Sequence, residues 1–214
     1  MRDAVAPTAD GLVVGGLVPL STCDWPGRLA VTVFCQGCPW DCGYCHNPDL
    51  IDPRRAGEVP WSRVRSLLAR RVGLVDGVVF SGGEPTRQAA LLPAVREVRE
   101  AGFAVGLHTS GAYPRRLREV LPLVDWVGLD VKAPAARYAA VTGVAASADA
   151  AFASLRLVLE AGVAVQVRTT VDPAVLSPDD VAELTETLRA MGVHDHVLQQ
   201  MRPTGVRPER LAAG

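Results

Sequence analysis

The sequence has a single lysine, no long apolar run and no excess of either charge. The other 21 basic residues are arginines, and 22 basic against 23 acidic residues give a net charge of −1. This balance provides no electrostatic footprint for nucleic acid or an anionic membrane. No apolar run approaches the ~20 residues that span a bilayer, and the amino terminus lacks the charged-then-apolar order of a secretory signal. We therefore expect no nucleic-acid partner and no membrane.

Cysteine is scarce but concentrated. Four of the five cysteines lie between Cys35 and Cys45. Disulfides between such close neighbours would be strained, and five cysteines cannot all pair. Free thiolates need a reducing compartment, which predicts a cytoplasmic protein. With 214 residues, 49% of them hydrophobic, the chain can bury a core without covalent cross-links.

The spacing of Cys38, Cys42 and Cys45, C-x3-C-x2-C, predicts a cubane 4Fe–4S cluster. Each thiolate would bind one iron, and the fourth iron would stay open for chemistry. A zinc knuckle needs a longer stretch between its two cysteine pairs than the three residues present here. Cys35 is either an inert buried thiol or a spare ligand for the open iron, and the sequence leaves both alternatives open.

Short apolar runs alternate with amphipathic segments along the chain. They predict strands at Leu29–Cys35, Gly77–Ser81, Ala104–Thr109, Trp126–Val131, Val163–Val171 and His196–Gln200, and helices at Ser62–Val72, Arg87–Ala101, Pro114–Leu121, Asp149–Glu160 and Pro178–Met191. This order favours an α/β fold with parallel strands, as an open partial barrel or a doubly wound sheet. We expect one domain, with a core over about residues 15–200 and loose ends at 1–10 and 202–214.

Polar residues follow three of these strands, where an active site of a parallel sheet is expected. In Ser81–Pro85 the glycines permit close approach of a ligand, and Glu84 offers a carboxylate to a ligand ammonium. His108–Gly111 ends the next strand. Asp130 and Lys132 share one face of the strand after it. Lys132 predicts an ammonium that reaches a polar ligand, with a surface salt bridge as the alternative.

These motifs resemble the radical S-adenosylmethionine (SAM) superfamily. The cysteine motif is combined with the run Tyr44–Pro48 and with the turn Gly82–Pro85. Ser21–Arg28 and Asp125–Lys132 further resemble the activating enzymes of glycyl-radical enzymes, specifically those of anaerobic ribonucleoside-triphosphate reductase. The resemblance covers about residues 15–200 and implies a single radical SAM domain, folded as a partial (βα)6 TIM-like barrel with parallel strands.

The resemblance also implies the site residues. Cys38, Cys42 and Cys45 would hold the 4Fe–4S cluster, and its open iron would bind the methionyl part of SAM. His46 would either orient a cluster sulfur or cap the loop. The residues around the cofactors would be Tyr44, His46, Gly82, Gly83, Glu84, Thr109, Ser110, Asp130, Lys132 and Arg168. Tyr44 would lie near the adenine, and Gly82, Gly83 and Glu84 along the methionyl amine. The ribose and the carboxylate would be surrounded by the polar residues Thr109, Ser110, Asp130, Lys132 and Arg168.

The implied reaction is a radical one. An electron from a flavodoxin- or ferredoxin-type donor would cleave SAM to methionine and a 5′-deoxyadenosyl radical. That radical would abstract a hydrogen atom from a glycine of the partner enzyme. The Cα–H of glycine is not shielded by a side chain.

Some residues depart from the resemblance, and two other functions stay open. Cys23 and Cys35 are additional cysteines, His108 stands where an aspartate is usual, and Ser110 replaces an asparagine. One alternative is a radical SAM enzyme that acts on a small molecule, such as a 7-carboxy-7-deazaguanine synthase, although that family usually continues its last cysteine with Asp-Thr rather than His46-Asn47. The other is an electron-transfer protein in which Cys35 completes the cluster.

Overall fold

The computed structural model describes residues 6–207, which form a seven-stranded sheet and six α-helices. The strands are β1 (Val14–Ser21), β2 (Ala30–Cys35), β3 (Gly77–Gly82), β4 (Ala104–Thr109), β5 (Trp126–Asp130), β6 (Ala164–Val171) and β7 (His196–Gln200). The helices are α1 (Trp61–Ala69), α2 (Leu91–Glu100), α3 (Pro114–Val120), α4 (Tyr138–Thr142), α5 (Ser147–Ala161) and α6 (Pro178–Ala190).

The order of the strands in the sheet distinguishes between the two predicted architectures. The strands lie side by side in chain order, β1 to β7. A doubly wound sheet would reverse this order at a switch point. β2 to β7 are parallel, while β1 runs antiparallel to β2. The predicted α/β fold with six parallel strands in a partial barrel is confirmed, and all six strands present their carboxyl ends at one side.

Three local features differ from the sequence prediction. The pattern does not predict β1, because two glycines and a proline weaken the strand signal of Val14–Ser21. It does not predict α4 either, since five residues are too few to show a helical period. α2 begins at Leu91 rather than Arg87, because Pro85–Arg87 forms a 3-10 turn and Gln88 is extended.

Two stacked tryptophans close the inside of the barrel at the amino ends of its strands. The rings of Trp25 and Trp126 lie 5.6 Å apart. A Cβ at Gly77 or at Gly106 would come within 2.9 Å of the Trp25 ring, so both glycines make room for it. Since this end is filled, the interior is open only towards the carboxyl ends of the strands.

The chain ends contact the body of the protein where the structure describes them. Ala9 is buried in the core, and Arg207 forms an ion pair with Asp41. The rest of the predicted loose ends, 1–5 and 208–214, lies outside the described residues. Within residues 6–207 no single helix has the length and composition to cross a membrane. The helical segments Ala135–Thr142 and Ser147–Ala161 have that length and composition only when they are taken together, and they are bent by 113° relative to each other.

Candidate active site

A cavity of about 360 Å³ opens at the carboxyl ends of the parallel strands. It brings together Cys38, Cys42 and Cys45 from the loop after β2 with residues from five further strand ends. The predicted site residues that line it are Cys38, Cys42, Tyr44, Cys45, His46, Gly82, Gly83, Thr109, Ser110, Asp130, Lys132 and Arg168. Residues far apart in sequence therefore meet in one space. Glu84 is the predicted site residue that does not line it.

The cysteine loop lies directly against the glycines of the turn after β3. A Cβ at Gly83 would come within 2.5 Å of the Gly37 carbonyl oxygen, and one at Gly82 within 2.4 Å of the Cys35 nitrogen. The Gly37 carbonyl accepts a hydrogen bond of 2.9 Å from the Glu84 backbone. Gly82 thus permits close pairing of the ends of β3 and β2, and Gly83 permits close approach of the cysteine loop, where the sequence prediction expects a ligand.

The three thiols fit a cluster better than a single metal ion. Within residues 6–207 no group of three His, Cys, Asp or Glu side chains converges closely enough for one ion. A cubane cluster requires no such convergence, because each thiolate binds a different iron. Burial raises the pKa of the Cys38 thiol to about 12 and also raises that of Cys42, so thiolates here require a metal to stabilise them.

Cys35 is separated from this group. It ends β2 inside the apolar core, with none of its surface exposed, and it does not line the cavity. Burial raises its pKa. This position favours the inert thiol over the fourth ligand.

The Glu84 carboxylate is fully occupied by protein donors. Its Oε1 accepts hydrogen bonds from the Thr86 nitrogen and hydroxyl and from the Thr109 hydroxyl, and its Oε2 accepts from the Ser110 nitrogen and hydroxyl. The residue has no exposed surface. In this geometry the carboxylate has no free acceptor for a ligand ammonium, which argues against the expectation that Glu84 binds one. Glu84 instead holds the Ser110 backbone, and with it the end of β4, in place.

Asp130, Lys132 and Arg168 form a charged cluster on one wall of the cavity. The Asp130 carboxylate lies 3.3 Å from both Lys132 Nζ and Arg168 Nε, and its side chain stays 40% exposed. Removal from water raises the pKa of Asp130, but the two cations outweigh this effect and keep the pKa below its ordinary value. Burial lowers the pKa of Lys132, yet the Tyr44 and Asp130 oxygens hold it above the usual range. Both groups are charged at neutral pH.

Tyr44 and Lys132 lie together on the cavity wall. The Tyr44 ring lies 5.5 Å from Lys132 Nζ, and both residues line the cavity. An aromatic ring beside two cations and a carboxylate is a set of groups that can bind a cofactor with aromatic and charged parts. The residues present therefore fit a polar cofactor beside the thiols.

His108 occupies the floor of the cavity as a neutral ring. Its Nε2 lies 2.7 Å from the Asp24 carbonyl oxygen, which can only accept, so Nε2 carries the proton. Nδ1 then accepts from the Ser81 hydroxyl at 3.1 Å. Burial and the nearby Arg168 guanidinium lower the His108 pKa to about 4.

Comparison with known proteins identifies the family. The sequence profile of the Radical SAM superfamily matches residues 32–191, which is most of the chain. The chain belongs to the radical SAM superfamily. Members of this superfamily use a 4Fe–4S cluster and SAM, and both cofactors fit the three thiols and the polar wall of the cavity.

Two relatives and one solved structure place this radical SAM protein among its neighbours. A protein of Methanocaldococcus jannaschii assigned to the glycyl-radical enzyme activating enzymes is 29% identical over 201 residues, covering 89% of this chain and 80% of that protein. The 7-carboxy-7-deazaguanine synthase of Thermococcus kodakarensis is 30% identical over 131 residues, which is 52% of each chain. The structure of Streptococcus suis SuiB bound to S-adenosylmethionine has a TM-score of 0.64 at 15% identity, covering 80% of this chain and 41% of SuiB.

The radical SAM site also contains residues that the sequence prediction misses. Thr170 and Gln199, near the ends of β6 and β7, line the cavity. Thr170 lies two residues after Arg168, so the period of a strand could have indicated it. Nothing local in the sequence marks Gln199.

Proposed function

We propose that this radical SAM protein activates a glycyl-radical enzyme, with anaerobic ribonucleoside-triphosphate reductase as the partner. The observation that carries the proposal is similarity to an activating enzyme that extends over 89% of the chain, joined to a cavity that combines three cluster thiols with a polar wall. When bound, the cluster and SAM supply a one-electron cleavage of a sulfonium C–S bond, which yields the radical that abstracts hydrogen from glycine.

The residues of the chain perform four tasks in this proposal. Cys38, Cys42 and Cys45 would each hold one iron of the cluster and leave the fourth iron for SAM. Lys132 and Arg168 supply cations for the carboxylate of SAM, while Asp130 accepts from its hydroxyl or ammonium donors. The Tyr44 ring, which lines the cavity, would lie near the adenine. Glu84 acts only through the backbone of Ser110, which it positions.

The size of the cavity supports a macromolecular substrate. About 360 Å³ lies at the lower end of the range for one small-ligand site. A second small-molecule pocket beside SAM would need more space, whereas a glycine-containing loop of a partner could enter from the open end. The 7-carboxy-7-deazaguanine synthase function remains the second candidate because of the similarity over 131 residues. We place the protein in the cytoplasm as a single domain.

Electron paramagnetic resonance tests the proposal. Reduced protein with SAM should produce a glycyl doublet when mixed anaerobically with the ribonucleotide reductase from the same genome. The Cys42→Ala variant is the matched control and should give no signal. Rapid turnover of a deazapurine precursor without a protein radical would replace the activase assignment with the synthase.

A further inference from the structure

An arginine-rich surface lies beside the cysteine loop, outside the cavity. It is formed by Arg87, Tyr113, Arg115 and Arg116, which we call the arginine surface. A groove of about 370 Å³ runs along it, lined by Ala112, Tyr113, Pro114, Arg115, Arg116 and Glu119. Because α3 follows the carboxyl end of β4, the surface is at the same end of the barrel as the thiols.

The arginine surface adjoins the residue that precedes a predicted cluster ligand. A Cβ at Gly37 would lie 3.0 Å from the Arg87 guanidinium, and Gly37 immediately precedes Cys38. Arg116 donates to the Thr86 carbonyl at 3.4 Å and lies over the Tyr113 ring at 5.6 Å. The surface therefore extends to Gly37, the residue before Cys38.

The positive charge of this surface is not explained by the fold. Arg115 and Arg116 are exposed in the first turn of α3, where the helix dipole disfavours cations. α6 shows the stabilising arrangement, with Asp179 and Asp180 in its first turn. Within residues 6–207, neither Arg115 nor Arg116 has an ion-pair partner, and the same holds for Arg87. Glu119 is the single acidic residue that lines the groove.

We propose that the arginine surface is the docking site for an acidic one-electron carrier protein that reduces the cluster. Charge complementarity selects such a partner and steers its encounter. When the cluster is bound, one electron would pass to it from the carrier's flavin or iron–sulfur centre, so the carrier would be oxidised and the cluster reduced by one electron. The proposal rests on the cluster assignment and not on the identity of the glycyl-radical partner.

Stopped-flow reduction of the reconstituted protein by a reduced acidic flavodoxin tests this docking site. Arg115 is exposed and makes no hydrogen bond, ion pair or ring contact with another described residue, so Arg115→Glu should fold normally. We expect this variant to slow reduction by about tenfold at low salt, with the difference vanishing at high salt. Arg115→Lys should keep the wild-type rate. Arg70→Glu, an equal change of charge on an exposed arginine at the end of α1, should also keep it.

A second reductant separates docking from cluster damage. Photoexcited 5-deazariboflavin needs no protein surface, and it should reduce all four proteins at the same rate. If flavodoxin reduced Arg115→Glu and Arg70→Glu equally slowly, the proposal would be overturned, because the net charge of the protein alone would then account for the slower reduction. A glycyl-radical yield that falls in Arg115→Glu under deazaflavin reduction would also overturn it, by assigning the surface to the glycyl-radical enzyme. If the wild-type protein formed no glycyl radical at all, the proposed function would be contradicted. The rates of reduction by flavodoxin would still test the docking site.

Discussion

Glu84 and Ser110 join the ends of two neighbouring strands through two hydrogen bonds to one carboxylate oxygen. The Ser110 nitrogen lies 2.8 Å and its hydroxyl 2.6 Å from Glu84 Oε2. The other carboxylate oxygen is bound by Thr86 and Thr109. A buried carboxylate with five protein donors is a structural element of the site, because removing it would leave several donors without an acceptor.

Replacement of Glu84 should lower the stability of the folded protein. We do not expect it to remove a direct contact with SAM. In Glu84→Gln either orientation of the amide points an NH₂ group at a backbone N–H, of Thr86 or of Ser110. We expect a loss of at least about 2 kcal/mol in the free energy of unfolding, against about 1 kcal/mol for Ser110→Ala. Urea denaturation measures both values. A variant with unchanged stability and lost SAM affinity would instead show that Glu84 binds the cofactor directly.

Lys132 should contribute directly to SAM binding. Its ammonium lies at the cavity wall beside Asp130 and Tyr44. Lys132→Ala should weaken SAM binding by about 1.5–3 kcal/mol, the scale of a charge-assisted hydrogen bond, without loss of iron. Calorimetry of the reconstituted protein measures the affinity. Arg189→Ala, which removes an exposed cation on α6, is the control and should bind SAM normally. An unchanged affinity in Lys132→Ala would reduce Lys132 to an ion-pair partner of Asp130.

The cysteines should separate into ligands and a core residue. Reconstituted protein should hold about four irons, and Ala at Cys38, Cys42 or Cys45 should abolish SAM cleavage. Cys35→Ala should retain both iron and cleavage, because that thiol is buried in the core and away from the cavity. Iron analysis and product chromatography measure the two properties. Loss of cleavage in Cys35→Ala with iron intact would favour the four-ligand alternative.

Local patterns predict the strands and the cysteine motif, but not how side chains from separate strands share partners. The six parallel strands follow from short apolar runs, and their order places the polar strand ends together. The motif of Cys38, Cys42 and Cys45 is visible because its ligands are close in sequence. Glu84 is different. Its donors Thr109 and Ser110 lie at the end of another strand, so the sequence predicts a free carboxylate where the structure has a saturated one.

The chain after β7 should help to retain the cluster. Arg207 pairs with Asp41, next to Cys42, and the Arg202 carbonyl lies 3.1 Å from His46 Nε2, next to Cys45. Arg207→Ala should therefore release iron to a chelator several-fold faster, and Arg207→Lys should partly restore retention. Absorbance of the chelated iron follows the rate. Equal rates in wild type and Arg207→Ala would show that the loop holds the cluster without this segment.

His108 should make stability depend on pH in the acidic range. Burial and Arg168 lower its pKa to about 4, below the ~6.5 of an unfolded chain. The unfolded state then binds the extra proton first, so stability is complete above about pH 6.5 and falls as the pH drops towards 4, by up to about 3 kcal/mol. Urea denaturation of the iron-free protein at pH 7.5 and pH 5 measures the loss. His108→Gln lacks the titrating ring and should lose clearly less over this interval, since the carboxylates titrate equally in both proteins. An identical loss of stability in the variant would mean that His108 takes up its proton as readily in the folded protein as in the unfolded chain.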